Sequence, residues 1–277
     1  MKTIIARKNI EYLEEAAKKF RRAACPAALT GAGISVNSGI ADFRSPGGVW
    51  TIFSPDEYAT LDVFHKNPHK AWQLYRALGQ GLLGKKPNQA HKVLAELEEQ
   101  GLLKGLVTQN VDNLHQAAGS KNVLEIHGDH QHLQCLQCDT IIQITESHYT
   151  MKDIPLCALC HFPLKPNVVL FGEAVRNMVE IEELMVNCDL LLVIGTSAKV
   201  YPAAGLPMLV KERGGLIYEF NREQALSIPG YVKTAPVTDY FFEGDLSSTL
   251  PLFGRSVQSI LPSGPEGTLP EDYGEMR

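Results

Sequence analysis

The chain has 277 residues, an ordinary apolar share of 44% and a net charge of −5. That length suits one large domain, or a domain carrying an inserted module. The acidic balance argues against a nucleic-acid binder, which presents a basic face. No stretch approaches the roughly 18 apolar residues of a membrane span.

The opening Met1-Lys2-Thr3-Ile4-Ile5-Ala6-Arg7 has an apolar run of only three residues before charge returns, so it is no signal peptide. Residues 8–22 read as an amphipathic helix, with Ile10, Leu13, Ala17 and Phe20 apolar among charges. Ala24–Thr30 is a short apolar strand running into Gly31-Ala32-Gly33, a turn that opens a helix. Residues 45–65 carry Ser-Pro and Gly-Gly signals and read as a long, partly helical loop. Pro68–Leu83 and Asn88–Gln100 are helical, with Asn88 as N-cap. Leu102–Thr108 is a strand ending at Gln109-Asn110-Val111-Asp112, and Val123–Ile126 is another ending at His127. From 128 to 170 the composition changes to cysteines, polar residues and short β-like runs such as Thr140–Thr145, as in an inserted module. Ala174–Asn187 is a helix, Leu190–Gly195 a wholly apolar strand, Pro202–Arg213 a helix and Leu216–Phe220 a strand. Thr238–Phe242 is a last short strand and Leu246–Phe253 a closing helix. The Pro-, Gly- and Glu-rich tail, 261–277, reads as disordered.

Wholly apolar strands alternating with helices indicate an α/β fold: a Rossmann-like parallel sheet covered on both faces. Such sheets bind ligands at the carboxyl ends of their strands. Gly31, Gln109, His127, Gly195-Thr196-Ser197 and Asn221 each follow a strand, so they should share one crevice.

The six cysteines form two C-x-x-C pairs, with Cys25 and Cys188 left over as small buried residues. Cys135 and Cys138, then eighteen residues, then Cys157 and Cys160 match a zinc-ribbon spacing. Four thiolates close a tetrahedral site, so the single Zn²⁺ is structural rather than catalytic. His161, beside Cys160, is surplus to that set. Cysteines used this way fit a reducing, cytoplasmic location.

A glycine turn after a strand brings backbone close to a pyrophosphate, and a helix N-terminus stabilises its charge. This turn departs from the dehydrogenase fingerprint, because Val36 stands where the third glycine of G-x-G-x-x-G belongs. A zinc-containing dehydrogenase is therefore disfavoured.

Residues Gly31–Trp50, GAGISVNSGIADFRSPGGVW, resemble the signature of the sirtuins, NAD-dependent protein-lysine deacylases. The resemblance extends through TQNVDNLH at 108–115, LEIHG at 124–128, the cysteine pairs, VVLFGE at 168–173, GTSAKVYPAAGLP at 195–207 and FNRE at 220–223. It runs in order from about residue 8 to about residue 253. It implies one catalytic domain, 1–260, whose small lobe combines the zinc module, about 128–170, with the helical loop region, about 45–85.

The resemblance also assigns roles. NAD would be cleaved at its nicotinamide–ribose bond after attack by the acyl oxygen of a lysine. The products would be nicotinamide, free lysine and O-acyl-ADP-ribose. Gly31, Ala32, Gly33, Ser35 and Arg44 would hold the pyrophosphate, and Phe43 would shield the nicotinamide end. Asp42, Asn110 and Asp112, next to Gln109, would hold the nicotinamide amide and its ribose, and His127 would be the general base. Gly195, Thr196 and Ser197 would contact phosphate and ribose, Asn221 would hold the adenosine ribose, and Arg222 and Asp245 complete the cofactor set. Val169, Leu170, Phe171, Gly172 and Glu173 would pair with an acylated protein or peptide as an added strand, although an ordinary internal strand has the same pattern.

Some positions depart from the family pattern. Ala41 replaces a usual proline, Lys199 a usual apolar residue, and Asp129 a usual small one. Sirtuins that remove succinyl or malonyl groups hold the acyl carboxylate with a Tyr-x-x-Arg pair, whereas here Tyr75 is followed at the third place by Leu78. Neutral acyl groups are therefore expected, acetyl first, then longer chains. The rival readings are an NAD-dependent mono-ADP-ribosyltransferase and a non-enzymatic NAD sensor or zinc-ribbon binding protein. Neither nucleic acid nor membrane is expected as a partner.

Overall fold

The computed structural model describes residues 1–5, 9–226 and 237–260. Its elements in chain order begin with β1 (Lys2–Ile5), α1 (Ile10–Arg22) and β2 (Pro26–Thr30). A 3₁₀ helix, Ala32–Ser38, follows the glycine turn. Next come α2 (Pro55–Tyr58), α3 (Leu61–Lys66), α4 (Pro68–Leu82) and α5 (Gln89–Glu99). Then follow β3 (Gly105–Thr108), α6 (Leu114–Ala118), β4 (Val123–Glu125), β5 (Gly128–Cys135), β6 (Ile141–Gln143), α7 (Glu146–Thr150) and β7 (Leu164–Val168). The chain ends with α8 (Met178–Asn187), β8 (Leu190–Ile194), α9 (Leu206–Glu212), β9 (Leu216–Asn221), β10 (Tyr240–Glu243) and α10 (Leu246–Ser259).

Seven strands form one parallel sheet in the order β1-β10-β9-β8-β2-β3-β4. Side chains alternate faces along a strand, and β8 shows the result. Leu190, Leu192 and Ile194 join the core under α1, α5 and α10, while Leu191 and Val193 join the core under α8 and α9. Both faces are covered, which is why these strands read as apolar throughout.

The chain leaves β2 towards β3 on one side and returns through β8 on the other. The crevice therefore opens between the ends of β2 and β8, where the connections part. A second sheet, β6-β5-β7, is antiparallel and carries the cysteines. Its Leu133, Cys135 and Leu164 share a third core with Phe64, Trp72 and Tyr75 from α3 and α4.

Several expectations are corrected. The first residues form an edge strand, β1, parallel to β10. Four residues are too few for periodicity to reveal a strand. The glycine turn opens a 3₁₀ helix rather than an α-helix, with the Ile34 amide bonding back three residues to the Gly31 carbonyl. The expected helix from Ala174 begins at Met178, since the Arg176 amide is held by the Ile126 carbonyl. The helix from Pro202 is split into a 3₁₀ turn, Ala203–Gly205, and α9. The closing helix continues past Phe253 and through Pro251 to Ser259, because Leu250, Phe253 and Val257 bury one face. The N-cap at Asn88 is as expected: its side chain accepts from the Ala90 amide. The tail, 261–277, lies outside the described residues.

Candidate active site

A cavity of about 1130 Å³ lies along the ends of β2, β3, β8 and β9. An ordinary small-molecule site encloses about 300–1,000 Å³, so a dinucleotide and part of a second substrate are of the right size.

One wall is the glycine turn. A Cβ on Gly33 would lie 2.7 Å from the Gly195 carbonyl oxygen, and one on Gly31 would lie 2.9 Å from it. The glycines thus let the β2 and β8 turns pack against each other, as well as presenting backbone to the cavity. The Gly31 and Gly33 amides are already bonded to Ile194 and Gly195. Ala32 keeps an amide without a partner among the described residues.

Asn110 lines the cavity, and its Nδ2 donates to the Gly31 carbonyl and to Ser35 Oγ, both at 3.2 Å. Its carbonyl oxygen is left to face a ligand. Ser35 and Asp112 stand one layer back. Ser35 Oγ donates to Asp112 Oδ2 at 2.6 Å, and Asp112 Oδ1 accepts from the Leu114 amide. Burial pushes the Asp112 carboxyl above its ordinary pKa, and the Ser35 bond opposes that shift. Neither residue lines the cavity: Ser35 touches the wall through Asn110, and Asp112 stands behind Ser35.

Gln109, Thr196, Ser197, Gly195, Asn221, Arg222 and Asp245 all reach the cavity. Gln109 Nε2 donates to Thr196 Oγ1 at 3.0 Å, and Asn221 Nδ2 to the Thr196 carbonyl at 3.0 Å, which ties three strand ends together. Asp245 caps α10, accepts from Asn37 and pairs with Arg222 at 2.9 Å. Its carboxyl is pulled well below the usual range, first by the Ser247 hydroxyl. Phe43, Arg44 and Asp42 line the opposite rim. The Phe43 ring sits 5.0 Å from Trp50, while Asp42 is spent on its own turn, accepting from the amides of Arg44 and Ser45.

His127 is half-buried between β4 and β5 on the cavity wall. Its Nδ1 lies 3.0 Å from the Gln109 carbonyl, which can only accept, so Nδ1 carries the proton and Nε2 keeps its lone pair. Desolvation lowers its pKa below the ordinary value, and the Gln109 bond pulls the other way. The next residue, Gly128, has φ 75° and no room for a side chain, since a Cβ would lie 2.0 Å from the Asn167 carbonyl oxygen.

The segment Val169–Glu173 lines the cavity beyond His127. The Val169 amide donates to the His127 carbonyl at 2.9 Å, and Phe171 bonds to Ala59 and Leu61 on one edge. Ala59, Leu74, Tyr75, Leu78 and Val111 form an apolar end to the cavity that sequence reasoning did not assemble. They are ordinary core residues by type, brought together only by the third core. Arg76 faces away, donating to the carbonyls of Lys152 and Asp153.

The four cysteine Sγ atoms lie within 4.8 Å of one another. Zn–S bonds of about 2.3 Å set tetrahedral S···S edges of about 3.8 Å, so the set fits one zinc ion. His161 does not belong to it.

A sequence profile described as the Sir2 family matches residues 31–202. The chain is 40% identical over 256 residues to an NAD-dependent protein deacylase of Thermococcus kodakarensis, covering 90% of this chain and 97% of that one. It is 44% identical over 203 residues to an NAD-dependent protein deacetylase of Sulfurisphaera tokodaii, covering 71% and 79%. A solved Sir2 homolog–NAD complex superposes with TM-score 0.80 at 37% identity, covering 88% of this chain and 93% of that one. A Sir2–p53 peptide–NAD⁺ complex gives 0.76 at 32%, covering 89% and 97%. The chain belongs to the Sir2, or sirtuin, family.

Proposed function

We propose that this protein is an NAD-dependent protein-lysine deacylase acting on neutral acyl groups, acetyl first. The observation that carries the reading is the placement of His127 Nε2, a free base, on a wall shared by the glycine turn and Val169–Glu173. Its relatives carry the same activity in their names.

When bound, NAD would supply an electrophilic ribose carbon with nicotinamide as leaving group, and with one water consumed the acyl group would leave as O-acyl-ADP-ribose and the lysine as the free amine. Gly31, Ala32 and Gly33 with Arg44 hold its pyrophosphate, and Thr196, Ser197 and Asn221 its adenosine half. Asn110 presents its carbonyl oxygen to the ribose side, backed by Ser35 and the carboxylate of Asp112, whose fixed dipoles stabilise developing positive charge. His127 Nε2 accepts a hydroxyl proton, and Gln109 holds the ring in the tautomer that can do so. Phe43 and Trp50 shield the cavity rim from water.

Val169–Glu173 holds the peptide backbone on one side of the acyl-lysine. The apolar end formed by Ala59, Leu74, Leu78 and Val111 takes the acyl chain, and with Arg76 turned away it offers no cation for a succinyl or malonyl carboxylate. Zinc in the Cys135, Cys138, Cys157 and Cys160 set is structural. We read the cell compartment as cytoplasmic; among the described residues no helix is long and apolar enough to cross a membrane.

Mass spectrometry of an acetyl-lysine peptide, with and without NAD and with longer acyl chains in parallel, tests the reading. Acyl loss only with NAD, together with nicotinamide and O-acyl-ADP-ribose, is expected. NAD consumption without deacylated peptide would replace it with ADP-ribosyl transfer, and no NAD consumption with an NAD sensor.

A further inference from the structure

Lys165 lies on β7 with no exposed surface, an unusual position for a lysine. All three partners of its ammonium lie between Pro166 and Glu173. Nζ donates to the Val168 carbonyl at 2.6 Å and to the Pro166 carbonyl at 3.3 Å. It also pairs with Glu173 Oε2 at 3.1 Å. The same Glu173 oxygen accepts from the Leu170 amide at 2.7 Å, and the Glu173 amide returns to the Leu170 carbonyl at 2.9 Å. The segment is thus clipped at both ends by one ion pair whose lysine is fully buried and whose carboxylate is half-buried.

The clip determines which backbone groups stay free. Val168 and Leu170 are spent on Lys165 and Glu173, and Phe171 on Ala59 and Leu61. The Val169 amide is spent on His127. Among the described residues, the Val169 carbonyl, the amide and carbonyl of Gly172 and the Glu173 carbonyl are without partners, all on residues of the cavity wall. A buried ion pair contributes little net stability against a well-packed apolar substitute, and here its partners are the backbone and side chain of one short segment.

We propose that Lys165, acting through Glu173, is a positioning residue that presents the Val169 carbonyl and the Gly172 backbone to the acylated peptide. The inference rests on the deacylase reading of the site. It concerns peptide capture and not the cofactor, whose cradle Lys165 does not touch.

The test is steady-state kinetics of the full zinc-loaded chain on an acetyl-lysine peptide, for wild type, Lys165→Met, Lys165→Arg and Glu173→Gln. Losing the buried charged clip should raise the peptide KM of Lys165→Met about tenfold, with kcat at saturation and the NAD KM within about twofold of wild type. Lys165→Arg, which can reach the same acceptors, should recover most of the loss. A Lys165→Met enzyme whose peptide KM is unchanged, or whose two KM values rise together, would overturn the proposal, as would an arginine variant no better than methionine. Should Lys165→Met fail to fold, Glu173→Gln decides: a rise in peptide KM alone supports the clip, and no rise overturns it. A wild-type protein without NAD-dependent deacylation overturns the deacylase reading itself, a result distinct from an active enzyme indifferent to Lys165.

Discussion

His127 and Gly33 show how much single positions decide. With His127 in its proposed role as base, His127→Ala should lower deacylation by about 10²–10⁴-fold. Nicotinamide release should fall far less, because the residues around the ribose remain. Equal loss of both would remove His127 from the base role. Burial lowers the His127 pKa, so the imidazole stays neutral to pH values below its ordinary 6.5. The acid limb of kcat/KM for the peptide should therefore fall below pH 6.5, and a limb centred at pH 7 or higher would contradict the assignment. At Gly33, a methyl group would sit 2.7 Å from the Gly195 carbonyl oxygen and push the β2 and β8 turns apart. Gly33→Ala should cost about 1–3 kcal/mol of stability and weaken NAD binding, measured by calorimetry on the folded variant. Unchanged NAD affinity would show that the turn can shift without cost to the cradle.

At the scale of elements, the zinc module is a bracket for the site. β5 carries Cys135 at one end and begins at Gly128, beside His127. β7 follows Cys160 and runs directly into Val169–Glu173. The pairing of β5 with β7 therefore links the cysteine set to His127 and to Val169–Glu173. Further ties run outward: the His130 amide bonds to the Val111 carbonyl, and Trp72 Nε1 to the Leu164 carbonyl at 2.8 Å. Cys157→Ser should release zinc, loosen residues 128–170 in hydrogen exchange and abolish most deacylation, with the parallel sheet still protected. Full activity in zinc-free protein would show that the bracket is not needed. Much of this was legible from C-x-x-C spacing, because four ligands at fixed intervals have few alternatives. The connection to α4 was not, since it depends on which apolar faces meet in the third core.

Across the whole molecule, the buried histidines set the response to acid. His91 and His130 are held down to about 4 by desolvation, and His115 is also held well below its ordinary value. Each stays neutral in the folded protein while the unfolded chain titrates near 6.5. Between those values the unfolded state binds more protons, so stability is full above pH 6.5 and falls as pH drops towards 4, by up to about 1.4 kcal/mol per pH unit for each histidine. Urea midpoints measured from pH 7.5 to 4.5 should fall across that window, less steeply for His130→Gln. A flat profile would mean these rings find proton partners in the folded state.

By itself the sequence determined the parallel α/β fold, the crevice at the strand ends, the zinc set and about half the residues of the cavity wall. These follow from local rules: apolar runs bounded by turns, ligand spacing, and polar residues placed directly after strands. The tertiary structure decided what spacing cannot express. It put Ser35 and Asp112 behind the wall rather than on it, turned Asp42 into its own loop, and assigned Gly31 and Gly33 to packing against Gly195 as well as to the cavity. It added β1 as a parallel edge strand and buried Lys165 beneath Val169–Glu173. Each of these depends on long-range neighbours, and a side chain's partner across the fold leaves no periodic trace in the chain that carries it.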